Sequence, residues 1–499
     1  MIEAAGEALG LILQIDRLGW MVLGCLVGLV VGLLPGLGGT VGMSILLPFI
    51  FGMDPYSGVA LLIGMAAVIH TGDTFPAVLI GVPGSSGSQA TIVDGYPLAR
   101  QGKAATALSA AFMVSMVAGI FGAVVLFATL SVARPLVLAL GSPELFMLAI
   151  FGLSMVGVLS LGSPLAGVIS GLLGLAIGTI GGAPGVPVYR YTFDWLYLFD
   201  GIPLPVLALG LFAVPEMLDL LAQRGHIARA AKLTGSRLEG IRQAFRHKWL
   251  VLRSAALGSA LGIIPGIGGS VVDWIAYGVT KQTVRDRDNF GRGDIRGVIG
   301  PESANNAKEG GALVPTLIFG IPGSGTTAML LGGLVLLGIE PGPSMVRENL
   351  DVTLSIVWSL ALANVFGAVA CIICAGWVAR ASVIPASRLV PFLFIIITVA
   401  AYQSTRHWGD IVVLLILGAV GWIMKQAAWP RAPLLIGFVL SLVTERYLHL
   451  SMSRYDLEWL TFPGVVAILA MIVIALVMGL VPDLRLRRAQ ARANSETNS

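Results

Sequence analysis

The sequence predicts an all-α polytopic membrane protein with an internal duplication, on three observations. The 499 residues have a mean hydropathy of +0.89, with 56% hydrophobic and only 12% charged residues, against roughly 25% charge in a soluble domain. Apolar runs at 104–133, 164–180, 354–378, 411–424 and 465–480 approach or exceed the roughly 17–25 residues that span a bilayer. Third, a phrase occurs twice: Gly32-Leu-Leu-Pro-Gly-Leu-Gly-Gly-Thr40 returns as Gly262-Ile-Ile-Pro-Gly-Ile-Gly-Gly-Ser270, and Gly81-Val-Pro-Gly-Ser85 returns as Gly320-Ile-Pro-Gly-Ser324. Counting shorter runs interrupted by Gly and Pro, about 12 membrane passes are expected, some of them re-entrant.

Taken in order, residues 1–19 carry Glu3, Glu7 and Asp16 without a basic leader or a small-residue cleavage pattern. They read as an amphipathic segment on the membrane surface, not a signal peptide. Residues 20–221 form the first transmembrane repeat. Near its end, 189–199 alternates aromatic residues with period two, which suits the headgroup level; a lone extended hairpin in lipid is excluded by its unpaired backbone. Residues 222–249 form a basic linker, with Arg224, Arg229, Lys232, Arg237, Arg242, Arg246 and Lys248 against Glu239. Residues 250–450 form the second repeat, 451–482 a final transmembrane helix, and 483–499 a basic tail with Arg485, Arg487, Arg488 and Arg492. Linker and tail are cytoplasmic by the positive-inside rule. The net charge of +4 is thereby localised and is no nucleic-acid signature.

The first phrase recurs 230 residues on and the second 239, so the later half carries a net insertion of nine. The polar loop 281–309, against the short turn 53–57, accounts for it. At the second offset Pro76 falls on Pro315 and Gly72 on Gly311. Inverted repeats are the arrangement expected, provided an odd number of passes separates the halves.

Proline removes a backbone donor and glycine is costly in a helix interior, so each phrase predicts a broken helix. Irregular backbone at membrane depth survives only inside protein or along a polar cavity, and paired breaks in two halves point to a transporter site. A helix starting after Pro-Gly-Ser offers free amides and a partial positive charge, an anion site without a formal charge. The candidates are Gly84, Ser85, Ser86, Gly87, Ser88 and Thr91, and their counterparts Gly323, Ser324, Gly325, Thr326 and Thr327. The same hydroxyls also suit plain helix caps and close packing. Gly36, Gly38, Gly39, Gly266, Gly268 and Gly269 either present unwound carbonyls to Na⁺ or water, or simply permit a tight kink.

Polar residues beside the breaks complete the set, because charge at membrane depth should face a cavity. Asp73 is a candidate to take a proton or help hold Na⁺, and Asn305 and Asn306 offer neutral oxygen ligands. Asp273 and Glu302 lie near them, while His70 alone is more often a satisfied polar residue than a relay. Asp54 and Glu216 read as turn or helix-end markers at the interface. Arg100 and Lys103 either anchor the next helix in headgroups or draw anions to the cavity mouth. Cys371 and Cys374 lie in an apolar run with no further ligands and read as packed core. No G-x-x-x-x-G-K-[ST], H-E-x-x-H or G-x-S-x-G occurs, so the chain reads as a non-enzyme that needs no cofactor beyond a possible coupling Na⁺.

At these residues the sequence resembles the large membrane subunit of tripartite tricarboxylate transporters. The resemblance lies in Gly32 to Thr40, Gly81 to Ser85 with Asp94 to Ala104, Pro301 to Gly323, and Gly201 through Ala208-Leu-Gly-Leu-Phe212 to Glu216. It covers most of the chain up to about residue 450. It implies a permease of the bacterial inner membrane that works with a small four-helix membrane subunit and a periplasmic binding protein. It further implies uptake of a carboxylate, citrate-like or a related di- or monocarboxylate, driven by a Na⁺ or H⁺ gradient. A homodimer is compatible with this reading. A gradient-independent anion channel and a non-transporting scaffold are the rival functions for the same duplicated fold.

Overall fold

The computed structural model describes residues 1–499 except 35, 161–162, 223–232, 382–385 and 498–499. Arg224, Arg229 and Lys232 of the basic linker, and Pro35 of the first phrase, therefore lie outside the described residues. Among the described residues, eight helices are long and apolar enough to cross a membrane, and five shorter apolar helices accompany them. Both phrases break helices, which is why several apolar segments are short.

The element order repeats. Ile2–Ile12, Ile15–Leu33, Gly39–Leu46, Pro55–Gly72 with Thr74–Leu79, Gln89–Leu98 and Ala104–Leu138 are followed by Ser142–Val158, Pro164–Gly178, and Leu204–Ala208 running on to Val214–Ala222. The second series is Arg237–Arg246, Lys248–Gly262, Gly269–Thr283, Arg296–Phe319, Gly325–Leu336, Leu350–Ala381, Ala386–Gln403, Trp408–Gln426 and Ala432–Tyr455. Pro463–Thr497 is an additional final helix. Within the aromatic stretch 189–199, Tyr189–Arg190 pairs antiparallel with Gly181–Gly182, and Leu196–Asp200 is a 3-10 helix at its end. This short ribbon satisfies its own backbone with a further bond from Ala183 N–H to Val188 O at 2.9 Å.

Glycine sets the packing of the broken helices. A Cβ at Gly28 would stand 2.5 Å from Met65 O and one at Gly32 would strike Ile69 O. Their counterparts behave alike, Gly258 against Ala304 O and Gly262 against Lys308 O. Backbone-to-backbone approach through small residues is how helices associate where lipid removes the hydrophobic drive.

The polar segment expected as a loop over 281–309 is non-helical only over 284–295, because Gly269–Thr283 and Arg296–Phe319 are helices, and that shorter loop has a structural task. The buried Asp94 carboxylate accepts from the amides of Gly291, Gly293 and Asp294 at 2.8, 2.9 and 2.9 Å, and from the Tyr277 hydroxyl at 2.9 Å. One acid of the first half therefore anchors the loop of the second.

Candidate functional site

In each half the two breaks are tied by one backbone bond. Gly36 N–H donates to Gly84 O at 3.1 Å, and Gly266 N–H donates to Gly323 O at 3.1 Å. Gly36 and Gly266 have φ of +86° and +88°, a left-handed backbone that glycine adopts without strain. The helices that restart beyond these turns then meet across the halves. A Cβ on Gly39 would be 2.5 Å from Thr326 Oγ1, one on Gly325 2.5 Å from Thr40 Oγ1, and one on Gly269 3.3 Å from Gly87 Cα. Four helix N-termini, from Gly39, Gln89, Gly269 and Gly325, thus converge on one place. Helix dipoles favour an anion at such a place, less so at Gln89–Leu98, whose Ala90 amide is taken by Asp273.

A cavity of about 680 Å³ opens there. Gly36, Gly38, Gly39, Gly84, Ser85, Ser86, Gly266, Gly268, Gly269, Gly323, Ser324 and Thr326, all expected at the site, line it. The other expected residues stand one layer behind. Ser88 Oγ donates to Ser85 O at 3.3 Å, Thr91 to Glu302 Oε1 at 2.8 Å, and Asn305 Nδ2 to Gly87 O at 2.9 Å. Asn306 Nδ2 donates to Thr71 Oγ1 at 3.2 Å. Thr327 caps: its hydroxyl accepts from Ser324 N–H at 2.8 Å, and Ser324 Oγ accepts from Thr327 N–H at 3.3 Å. Ser85 accepts from Gly87 N–H at 3.1 Å and donates to Asp73 Oδ2. Capping and cavity exposure therefore coexist in Ser85 and Ser324.

Charge is concentrated behind the tips. His70 Nδ1 lies 3.3 Å from Asp73 Oδ2, His70 Nε2 3.1 Å from Glu309 Oε1, and Lys308 Nζ 2.6 Å from Glu309 Oε1. Asp273 Oδ2 accepts from Ala90 N–H at 2.6 Å. His70 and Lys308 reach the cavity wall. Asp73 Oδ1, Asn305 Oδ1 and Asn306 Oδ1 are buried with no hydrogen-bond partner among the described residues. Among the described residues no three His, Cys, Asp or Glu side chains converge as a metal centre.

Two features escaped the sequence reading. Lys308 and Glu309 are buried partners, whose only signal was a pair of charges in the polar N-terminal part of the Arg296–Phe319 segment. Glu216, expected as an interface marker, lines the cavity and takes Lys425 Nζ at 2.7 Å and Arg431 Nη2 at 3.2 Å. Lys425, Trp429 and Arg431 form that wall with it.

A polytopic helical fold whose broken helices face each other around an open cavity is the arrangement of a membrane transporter. The chain matches the tripartite tricarboxylate transporter TctA family over residues 18–436 and belongs to that family. It is 31% identical over 472 residues, 94% of either chain, to an uncharacterized 52.8 kDa protein in the TAR-I ttuC' 3' region of Agrobacterium vitis. A second relative from the same organism, an uncharacterized protein in the TAR-II ttuC' 3' region, is 30% identical over 236 residues, 47% of this chain and 98% of the relative. No solved structure matches.

Proposed function

We propose that this chain is the permease subunit of a binding-protein-dependent secondary transporter that imports a carboxylate, driven by a Na⁺ or H⁺ gradient. The observation that carries the reading is the convergence of four helix N-termini, with Ser85, Ser86, Ser324 and Thr326, on one cavity. Amides and hydroxyls are the donors that a carboxylate's acceptor oxygens require. In this reading the chain sits in the bacterial inner membrane with linker and C-terminus cytoplasmic. It works with a small four-helix membrane subunit and a periplasmic binding protein, which selects the carboxylate.

The halves are inverted repeats in the same reading. Ile15–Leu33 runs parallel to Pro55–Gly72, and Lys248–Gly262 parallel to Arg296–Phe319, as the glycine contacts of Gly28, Gly32, Gly258 and Gly262 indicate. Pro55–Gly72 and Arg296–Phe319 oppose each other, since Thr71 meets Asn306, Thr74 meets Glu302 and His70 meets Glu309. Helices that oppose at equivalent positions support an exchange of membrane sides between the halves.

The test is uptake of labelled citrate, then of other carboxylates, into vesicles holding both membrane subunits. It is run with and without the binding protein, and with Na⁺ and H⁺ gradients imposed separately. Accumulation that requires the binding protein and a gradient is the expected result. Equilibration without either indicates a channel.

A further inference from the structure

His70 is 7% exposed, and both ring nitrogens face carboxylates, Nδ1 toward Asp73 Oδ2 and Nε2 toward Glu309 Oε1. A neutral imidazole has one N–H and one lone pair, so it can donate to only one of two carboxylates. The imidazolium donates to both. A neutral ring satisfies both contacts only if one carboxyl is itself protonated. In either case the trio holds one proton more than a neutral ring between two carboxylates.

The surroundings make that proton matter to an anion. Lys308, paired with Glu309, and Ser85, which donates to Asp73 and lies 3.4 Å from His70 Nδ1, both line the cavity beside His70. His70, Lys308, Asp73 and Glu309 sum to zero with the proton and to one negative charge without it. Further along the Arg296–Phe319 helix, Glu302 accepts from Thr74 and Thr91, and Ser115 of Ala104–Leu138 reaches it at 3.4 Å. Asp273 of Gly269–Thr283 takes the Ala90 amide. Arg17 of Ile15–Leu33 and Asp351 of Leu350–Ala381 sit at the other end of the His70 helix, against Asp54 and Tyr56. A carboxylate entering the deprotonated cluster therefore meets net negative charge at low dielectric, where repulsion is strong.

Resting on the transport reading above, we propose that His70, held between Asp73 and Glu309, is a proton site coupled to carboxylate binding in the cavity. The proton comes from cavity water to the free lone pair of the trio and leaves to water on the opposite side once the anion has gone. By linkage, the proton raises anion affinity by the same factor as the anion raises proton affinity.

The experiment uses the full permease with its small subunit and binding protein in liposomes, with labelled citrate and then a panel of carboxylates as probes. Wild type accumulates label when the outside is made acid, at fixed Na⁺ on both sides. In His70→Gln the ratio of pH-driven accumulation to substrate exchange falls at least about tenfold, within the usual range of coupling factors. In Glu309→Gln, where one anionic partner of the ring is gone, the alkaline loss of exchange moves to lower pH. This second variant decides the matter if His70→Gln does not assemble. Accumulation by His70→Gln that follows the pH gradient as in wild type overturns the inference. So does an unmoved pH profile in Glu309→Gln, or wild-type flux that ignores the pH gradient and follows Na⁺ alone. Absence of flux for every carboxylate in wild type overturns the transport reading and the inference with it.

Discussion

The amide of Gly36 donates to the carbonyl of Gly84 across 3.1 Å, and this single bond fixes the two breaks of the first half against each other. The second half repeats it from Gly266 to Gly323 at the same distance. Two helix breaks that are costly separately thereby satisfy each other's backbone at membrane depth, as the bilayer demands.

The two ends of that symmetry are unequal in space. A Cβ on Gly84 would lie 2.5 Å from Asp73 Cβ and 2.6 Å from Gly32 O, whereas one on Gly323 would lie 3.3 Å from Ala312 Cβ. Gly84→Ala should destabilise by about 1–3 kcal/mol through overpacking, and Gly323→Ala by under about 1 kcal/mol. Thermal unfolding of the two variants in the same detergent checks the order.

Ser85 and Ser324 each cap a helix and face the cavity. Either one changed to Ala should raise the KM for the transported carboxylate about ten- to hundredfold, the loss of one hydrogen bond to a charged group. Initial uptake rates over a substrate range give the result. An unchanged KM would leave the serines as caps alone.

Asp94 holds three loop amides and the Tyr277 hydroxyl from a buried position. Asp94→Ala leaves those donors unpaired and should cost about 3 kcal/mol or more, while Asp94→Asn, which keeps a carbonyl acceptor, should cost markedly less. Unfolding midpoints in detergent distinguish the two.

Glu216 pairs with both Lys425 and Arg431 on the cavity wall, and Asp219 adds a second carboxylate against Lys425. Glu216→Gln should leave that wall more positive and lower the carboxylate KM by about two- to fivefold at low ionic strength, with the gain shrinking in salt. Uptake at subsaturating substrate in two salt concentrations measures it.

The breaks were legible because Pro and Gly act on the backbone they occupy. Gly36, Gly266, Ser85 and Ser324 announce themselves in a single chain. The pairing of His70 with Glu309 and of Glu216 with Lys425 was not legible, since each joins side chains more than 200 residues apart. Those contacts come from how the halves pack, and a lone His70 or Glu216 carries no local mark of its partner. The capping and binding readings of the serines could not be separated in the sequence either, because one hydroxyl at a helix start has the donors and lone pairs for both.

Protection of Ser86→Cys from a membrane-impermeant thiol reagent tests the central claim most directly, in a chain whose Cys25, Cys371 and Cys374 are replaced by Ala. Ser86 lines the cavity at the tip of the first half. The carboxylate that the same vesicles accumulate should slow labelling at Ser86→Cys in a dose-dependent way, with half-protection near its KM. Labelling that proceeds at the same rate with saturating carboxylate would contradict a substrate site between the tips.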